Sequence, residues 1–86
     1  MRITGLQVRA ARAFLVWDRR ELSRKAVVPL GTIEHLEMGA KVSGKATVAA
    51  LSAVQAALEA EGIEFTEEDG VQGVRLHPKP ARKWKR

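Results

Sequence analysis

The stretch over residues 21–39, ELSRKAVVPLGTIEHLEMG, constrains the fold more than any other part of this chain. Leu22 and Ala26 stand one helical turn apart, as do Ile33 and Leu36, and Val28 lies between the pairs. Each segment therefore carries one narrow apolar stripe on an otherwise polar helix. Asp18 is placed to cap the first helix, with Glu21 as its capping-box partner. Pro29 suits the first turn of the second helix, where its missing N–H costs nothing. Gly39 suits the end of that helix. The segment predicts two short helices meeting at a tight turn.

The flanks extend the helical pattern. Thr4 and Gln7 form a capping-box pair for a helix running to residue 15 or 16, with Leu6, Ala10, Phe14 and Trp17 as its expected buried stripe. Arg9 and Arg12 lie off that stripe. After the loop at 40–44, an alanine-rich helix is expected over about 45–61, its core marked by Val48, Leu51, Val54 and Leu58. Gly62 closes it. Residues 63–66 alternate apolar and polar, Glu68-Asp69-Gly70 is a turn signal, and residues 74–76 alternate again, which predicts a short β-hairpin. An isolated hairpin is marginal in water, so it needs either the helices or a second subunit.

The chain has 86 residues and no cysteine, which excludes disulfides and thiolate metal sites. A domain of this size buries only about 60% of its unfolded surface, so dimerisation would help it. His35 and His77 lack metal-ligand spacing, and no metal or cofactor is expected. No apolar run is long enough to span a bilayer, and no secretory signal opens the chain, so the expected compartment is the cytoplasm. The net charge of +5 is unevenly spread: residues 1–45 hold nine bases and four acids, 46–78 hold one base and six acids, and 79–86 hold five bases and no acid. A basic module beside an acidic one suggests that one face attracts polyanion.

Two short helices crossing steeply can set the second into a DNA major groove. RAARAFLVWDRRELSRKA followed by TIEHLEMG resembles the Cro/cI-repressor-like (XRE) helix-turn-helix family, and ALEAEGIEF with GVRL resembles an extension of its short bacterial and phage members. The resemblance covers roughly residues 5–76. It implies a mainly α fold: a four-helix lambda-repressor-like helix-turn-helix domain over 1–62, a β-hairpin extension over 63–77, and a flexible basic tail over 78–86. It makes residues 29–37 a recognition helix reading bases through Pro29, Leu30, Gly31, Thr32 and His35. Arg19, Arg20, Lys41 and Lys45 match positions that approach the DNA backbone.

Two departures from the family pattern stand out. Val27 occupies a turn position that is commonly glycine, and a β-branched residue disfavours the positive φ a glycine would take there. Leu30 and Gly31 stand where relatives often carry Gln, Arg or Ser. Of the readout set, His35 can donate to guanine and Thr32 can donate or accept. Pro29 and Leu30 can only meet a thymine methyl or exclude water. Affinity would come mostly from phosphate neutralisation, and symmetric half-sites or DNA shape would supply the remaining specificity.

These readings lead to a transcriptional regulator that binds double-stranded DNA as a homodimer, its hairpins expected to pair edge to edge in a continuous sheet across the two-fold, with Ile63, Phe65, Val74 and Leu76 as the apolar face of that dimer interface. Helix 45–61 is the other place where a dimer could form. Phe14 and Trp17 are expected in the core. The tail Arg82, Lys83, Trp84, Lys85 and Arg86 either contacts DNA or is solvated without a defined role. The alternative function is an antitoxin-like or adapter protein on the same fold, binding a protein partner. The chain is not expected to be an enzyme: it shows no cysteine nucleophile, no paired His–carboxylate motif and no phosphate-binding glycine loop. Glu67, Glu68 and Asp69 read as a solvated turn.

Overall fold

The computed structural model describes residues 2–39 and 44–78. It contains four helices and a C-terminal antiparallel hairpin: α1 (Gly5–Leu15), α2 (Arg19–Ala26), α3 (Leu30–Glu37), α4 (Lys45–Glu59), β1 (Ile63–Glu68) and β2 (Val71–Leu76). No helix among the described residues is long and apolar enough to cross a membrane.

Local signals explain most of the boundaries. Thr4 and Gln7 form the full reciprocal capping box. Ile3 and Val8 stand at the hydrophobic-staple positions around it and are both buried. Asp18 accepts from the Glu21 N–H at 2.8 Å, whereas the Glu21 carboxylate turns to Arg24 at 2.6 Å instead of closing a second box. Pro29 lies just before α3 rather than within it, and its carbonyl accepts from the Thr32 and Ile33 N–H groups. Gly39 takes φ +83 just past the end of α3. Helix α4 stops at Glu59, two residues earlier than its pattern suggests.

The core gathers Ile3, Val8, Ala11, Leu22, Val28, Ile33, Leu36, Leu51, Val54, Leu58, Ile63 and Phe65. Helix α2 packs on α3 and α4, and α1 touches α3, α4 and β2. Of the stripe expected on α4, Leu51, Val54 and Leu58 are buried and Val48 is half-buried.

The face chosen by α1 differs from the expected one. Its buried residues are Gln7, Val8 and Ala11, with Leu15 packed against the core. Leu6, Ala10 and Phe14 face outward; of the expected stripe only Trp17 packs on the core. Two tertiary restraints set this rotation. A Cβ on Gly5 would strike the Leu36 carbonyl oxygen, so the backbones of α1 and α3 meet here. Two residues on, Gln7 Nε2 donates to the carbonyls of Thr66 at 2.9 Å and Gly73 at 3.0 Å. Those carbonyls lie on cross-strand partners of the hairpin.

The hairpin is longer than its alternation suggests. Its register pairs Ile63 with Leu76 and Glu68 with Val71 across the two-residue turn Asp69-Gly70. Both turn residues have positive φ, as a type I′ turn requires. The Gly70 N–H is held by Glu67 at 2.8 Å. The hairpin's partner is the helical layer: Ile63 and Phe65 are buried in the domain's own core and Val74 packs against it. This corrects the expectation that Ile63, Phe65, Val74 and Leu76 form an apolar face for a second subunit. Only Leu76 of the four is exposed, because the chain needs the other three to cover α4 and α1.

Candidate nucleic-acid interface

Helices α2 and α3 meet through Leu22, Val28, Ile33 and Leu36, all buried. The connection is Val27-Val28-Pro29. Val27 itself adopts the left-handed conformation that its β-branch disfavours, at φ 57, ψ 48. The Val27 and Val28 N–H groups both reach the Ser23 carbonyl, and the Ser23 hydroxyl donates to the Val28 carbonyl. Burial of Val28 and these bonds hold the turn closed against the strain of a β-branched residue at positive φ.

One side of α3 is committed to packing through Ile33, Leu36 and Glu37. The other side carries the expected readout residues. Pro29, Gly31 and His35 are exposed, while Leu30 and Thr32 are half-buried. Among the described residues, nothing lies within 4 Å of where a Gly31 Cβ would stand. Glu34 is exposed on the same helix. Among the described residues, neither Pro29 before α3 nor Gly44 before α4 supplies a side-chain cap. An apolar trough runs between these two first turns, bordered by Val28, Pro29 and Thr32 on one side and Ala46, Thr47 and Ala50 on the other.

The cations divide into engaged and exposed groups. Glu37 has a fully buried side chain. It accepts from Arg12 Nε at 2.6 Å, Arg12 Nη2 at 2.8 Å and Arg19 Nε at 2.9 Å. Arg12 also donates to the Trp17 carbonyl at 2.9 Å. Burial pushes the Glu37 carboxyl up. The hydrogen bonds and charges of Arg12 and Arg19 outweigh it and hold the group below the ordinary carboxylate range. Arg12 is raised by the same hydrogen bond. Of the expected backbone contacts, Arg19 is thus partly committed within the fold, whereas Arg20 and Lys45 are exposed. Lys25 lies 5.9 Å from the centre of the Trp17 ring, within cation–π range. Lys41 and the tail residues Arg82, Lys83, Trp84, Lys85 and Arg86 lie outside the described residues.

The Glu37 cluster was readable in principle. Glu37 stands one helical turn after Ile33, on the buried stripe, and a buried acid requires a cationic partner. Which arginines would supply it depends on where α1 and α2 cross the end of α3. No protein-family model matches this chain, and neither does any curated protein compared with it.

Proposed function

We propose that this chain is a helix-turn-helix transcriptional regulator of the Cro/cI-repressor-like kind, binding an inverted-repeat DNA operator as a homodimer, with α3 in the major groove. The observation that carries this reading is the two-sidedness of α3. One side is fixed by Ile33, Leu36 and the Glu37 cluster, and the other leaves Pro29, Gly31 and His35 open. A rigidly seated helix with one free face is what base readout needs. Arg20 and Lys45 supply phosphate contacts, and the first turn of α3, which Pro29 does not cap with a side chain, adds backbone N–H groups suited to anions. The exposed Glu34 disfavours nearby phosphate and so limits how the helix can lie in the groove.

Selection from a random duplex library, followed by titration of the winner across salt concentrations, tests the reading. An inverted repeat bound far more tightly than random DNA is the expected result. Recovery of no motif, with only weak salt-sensitive binding, would overturn operator recognition and leave an adapter that binds a protein partner.

A further inference from the structure

Helix α1 turns an apolar row outward. Leu6 is 66% exposed and Phe14 49% exposed, with exposed Ala10 between them. Spaced four residues apart, the three stand in line along the helix. A groove separates this row from β2, where Gln72, Gly73 and Val74 border it. Helix and strand run in the same direction. The Thr4 hydroxyl donates to Gln72 at 2.7 Å, and Gln7 reaches the next strand residue, Gly73, at 3.0 Å. The Phe14 end of the groove therefore lies toward Leu76, where β2 stops. At its Gln72 end the groove adjoins a second hollow, which shares Gln72 and Gly73 and is bordered by Glu68 and Asp69. Neither carboxylate has an ion-pair partner among the described residues. From the strand end toward the hairpin tip, the surface is apolar first and acidic second.

We infer that residues 79–86 of this same chain fold back along that surface, with Trp84 in the apolar groove and Lys85 and Arg86 beside Glu68 and Asp69. The segment, KPARKWKR, lies outside the described residues. Order, reach and charge select it as the occupant. One aromatic followed by two bases meets an apolar groove followed by two acids, in the same order from the strand end. The step from Pro78 to Trp84 spans up to about 20 Å when extended, whereas the row from Leu6 to Phe14 is about 12 Å long. The segment carries five bases and no acid, so opposite charge at the hairpin tip attracts it. Because it is tethered, its concentration at the groove is on the order of millimolar, and a contact too weak to hold a separate peptide can hold it. Seated there, Lys85 and Arg86 answer carboxylates of the domain and not phosphates of DNA, and the outer row of α1 is closed to other partners. The inference concerns the chain without DNA and does not rest on the proposed function.

Disulfide trapping in the full chain tests it. The chain has no cysteine, so Ala10→Cys combined with Lys83→Cys supplies a single pair. Oxidised in dilute solution, this double variant should close on itself at the mass of one chain, and adding Trp84→Ala should slow the closure by about tenfold. With Ser52→Cys, exposed on α4, in place of Ala10→Cys, Trp84→Ala should make no difference. A second measurement needs no variant: nuclear Overhauser contacts from the Trp84 indole to the side chains of Leu6 and Phe14 are expected in the unsubstituted chain. Closure indifferent to Trp84→Ala, or an indole without contacts to α1, would overturn the docking. So would a predominant disulfide-linked species of twice the 9.5 kDa of one chain, which would place a second copy on the row instead.

Discussion

Arg12 and Glu37 meet in a two-pronged ion pair, with Nε and Nη2 of one guanidinium bound to the two oxygens of a carboxylate that has no exposed surface. The pair ties the last turn of α1 to the end of α3, and Arg19 brings the start of α2 to the same carboxylate. Removing one partner of a buried pair leaves the other uncompensated. Glu37→Gln should therefore cost about 3 kcal/mol in chemical denaturation. The acid limb of stability follows from the same group. Its folded pKa is lowered from the ordinary 4.5, so its contribution is complete above that value and is lost as pH falls through the folded pKa. Denaturation midpoints measured from pH 6 to pH 2 should fall more steeply for the parent chain than for Glu37→Gln.

Gln7 serves two levels of structure at once. Its Oε1 accepts from the Thr4 N–H at 3.0 Å, closing the cap of α1, while its Nε2 holds two carbonyls of the hairpin. Gln7→Glu keeps the cap acceptor but replaces a donor with a carboxylate facing those carbonyls. A loss of about 2–3 kcal/mol is expected, with amide exchange accelerating more in β1 and β2 than in α2 and α3. Uniform acceleration throughout would mean that Gln7 does not hold the hairpin specifically.

Gly5 stands where two backbones approach. A Cβ there would meet the Leu36 carbonyl oxygen and come within 2.9 Å of the Glu37 Cα and carbonyl oxygen. Backbone cannot yield as a side-chain tip can, so Gly5→Ala should destabilise by about 1–3 kcal/mol, read from its melting curve. An unchanged melting temperature would show that α1 can slide along α3.

Val16 and Val27 both hold left-handed backbone with side chains 90% and 88% exposed. Each forgoes about 1–2 kcal/mol to this conformation, and a glycine gives back about 0.5–1 kcal/mol of that through chain entropy. Val16→Gly and Val27→Gly should each stabilise the fold by up to about 1 kcal/mol, visible as a higher melting temperature. Equal or lower melting temperatures would show that the turns are not strained.

Arg20 and Arg19 are neighbours with different expected effects on DNA binding. Arg20→Ala should leave stability unchanged and reduce the salt dependence of binding by about one phosphate contact. Arg19→Ala should lower the melting temperature as well, because Arg19 helps neutralise Glu37. Identical stability of the two variants would remove Arg19 from the buried cluster.

Residues a few positions apart determined much of this protein. The Thr4–Gln7 box, the Asp18 cap, the spacing of Leu51, Val54 and Leu58, and the Asp69-Gly70 turn act through local backbone geometry, so their outcome could be read along the chain. Helix α1 could not be read this way. It carries two apolar rows, one through Leu6, Ala10 and Phe14 and the other through Val8, Ala11 and Leu15, and periodicity scores both. The choice fell to the second because Gly5 admits the end of α3 and Gln7 reaches the hairpin, contacts that join residues up to 66 positions apart. The same holds for the candidate interface. The apolar stripe of α3, Ile33 with Leu36, was legible from spacing, but the withdrawal of Arg12 and part of Arg19 toward Glu37 needed three helices to converge. A buried carboxylate takes whichever cations the packing brings within reach, and only the tertiary structure decides which those are.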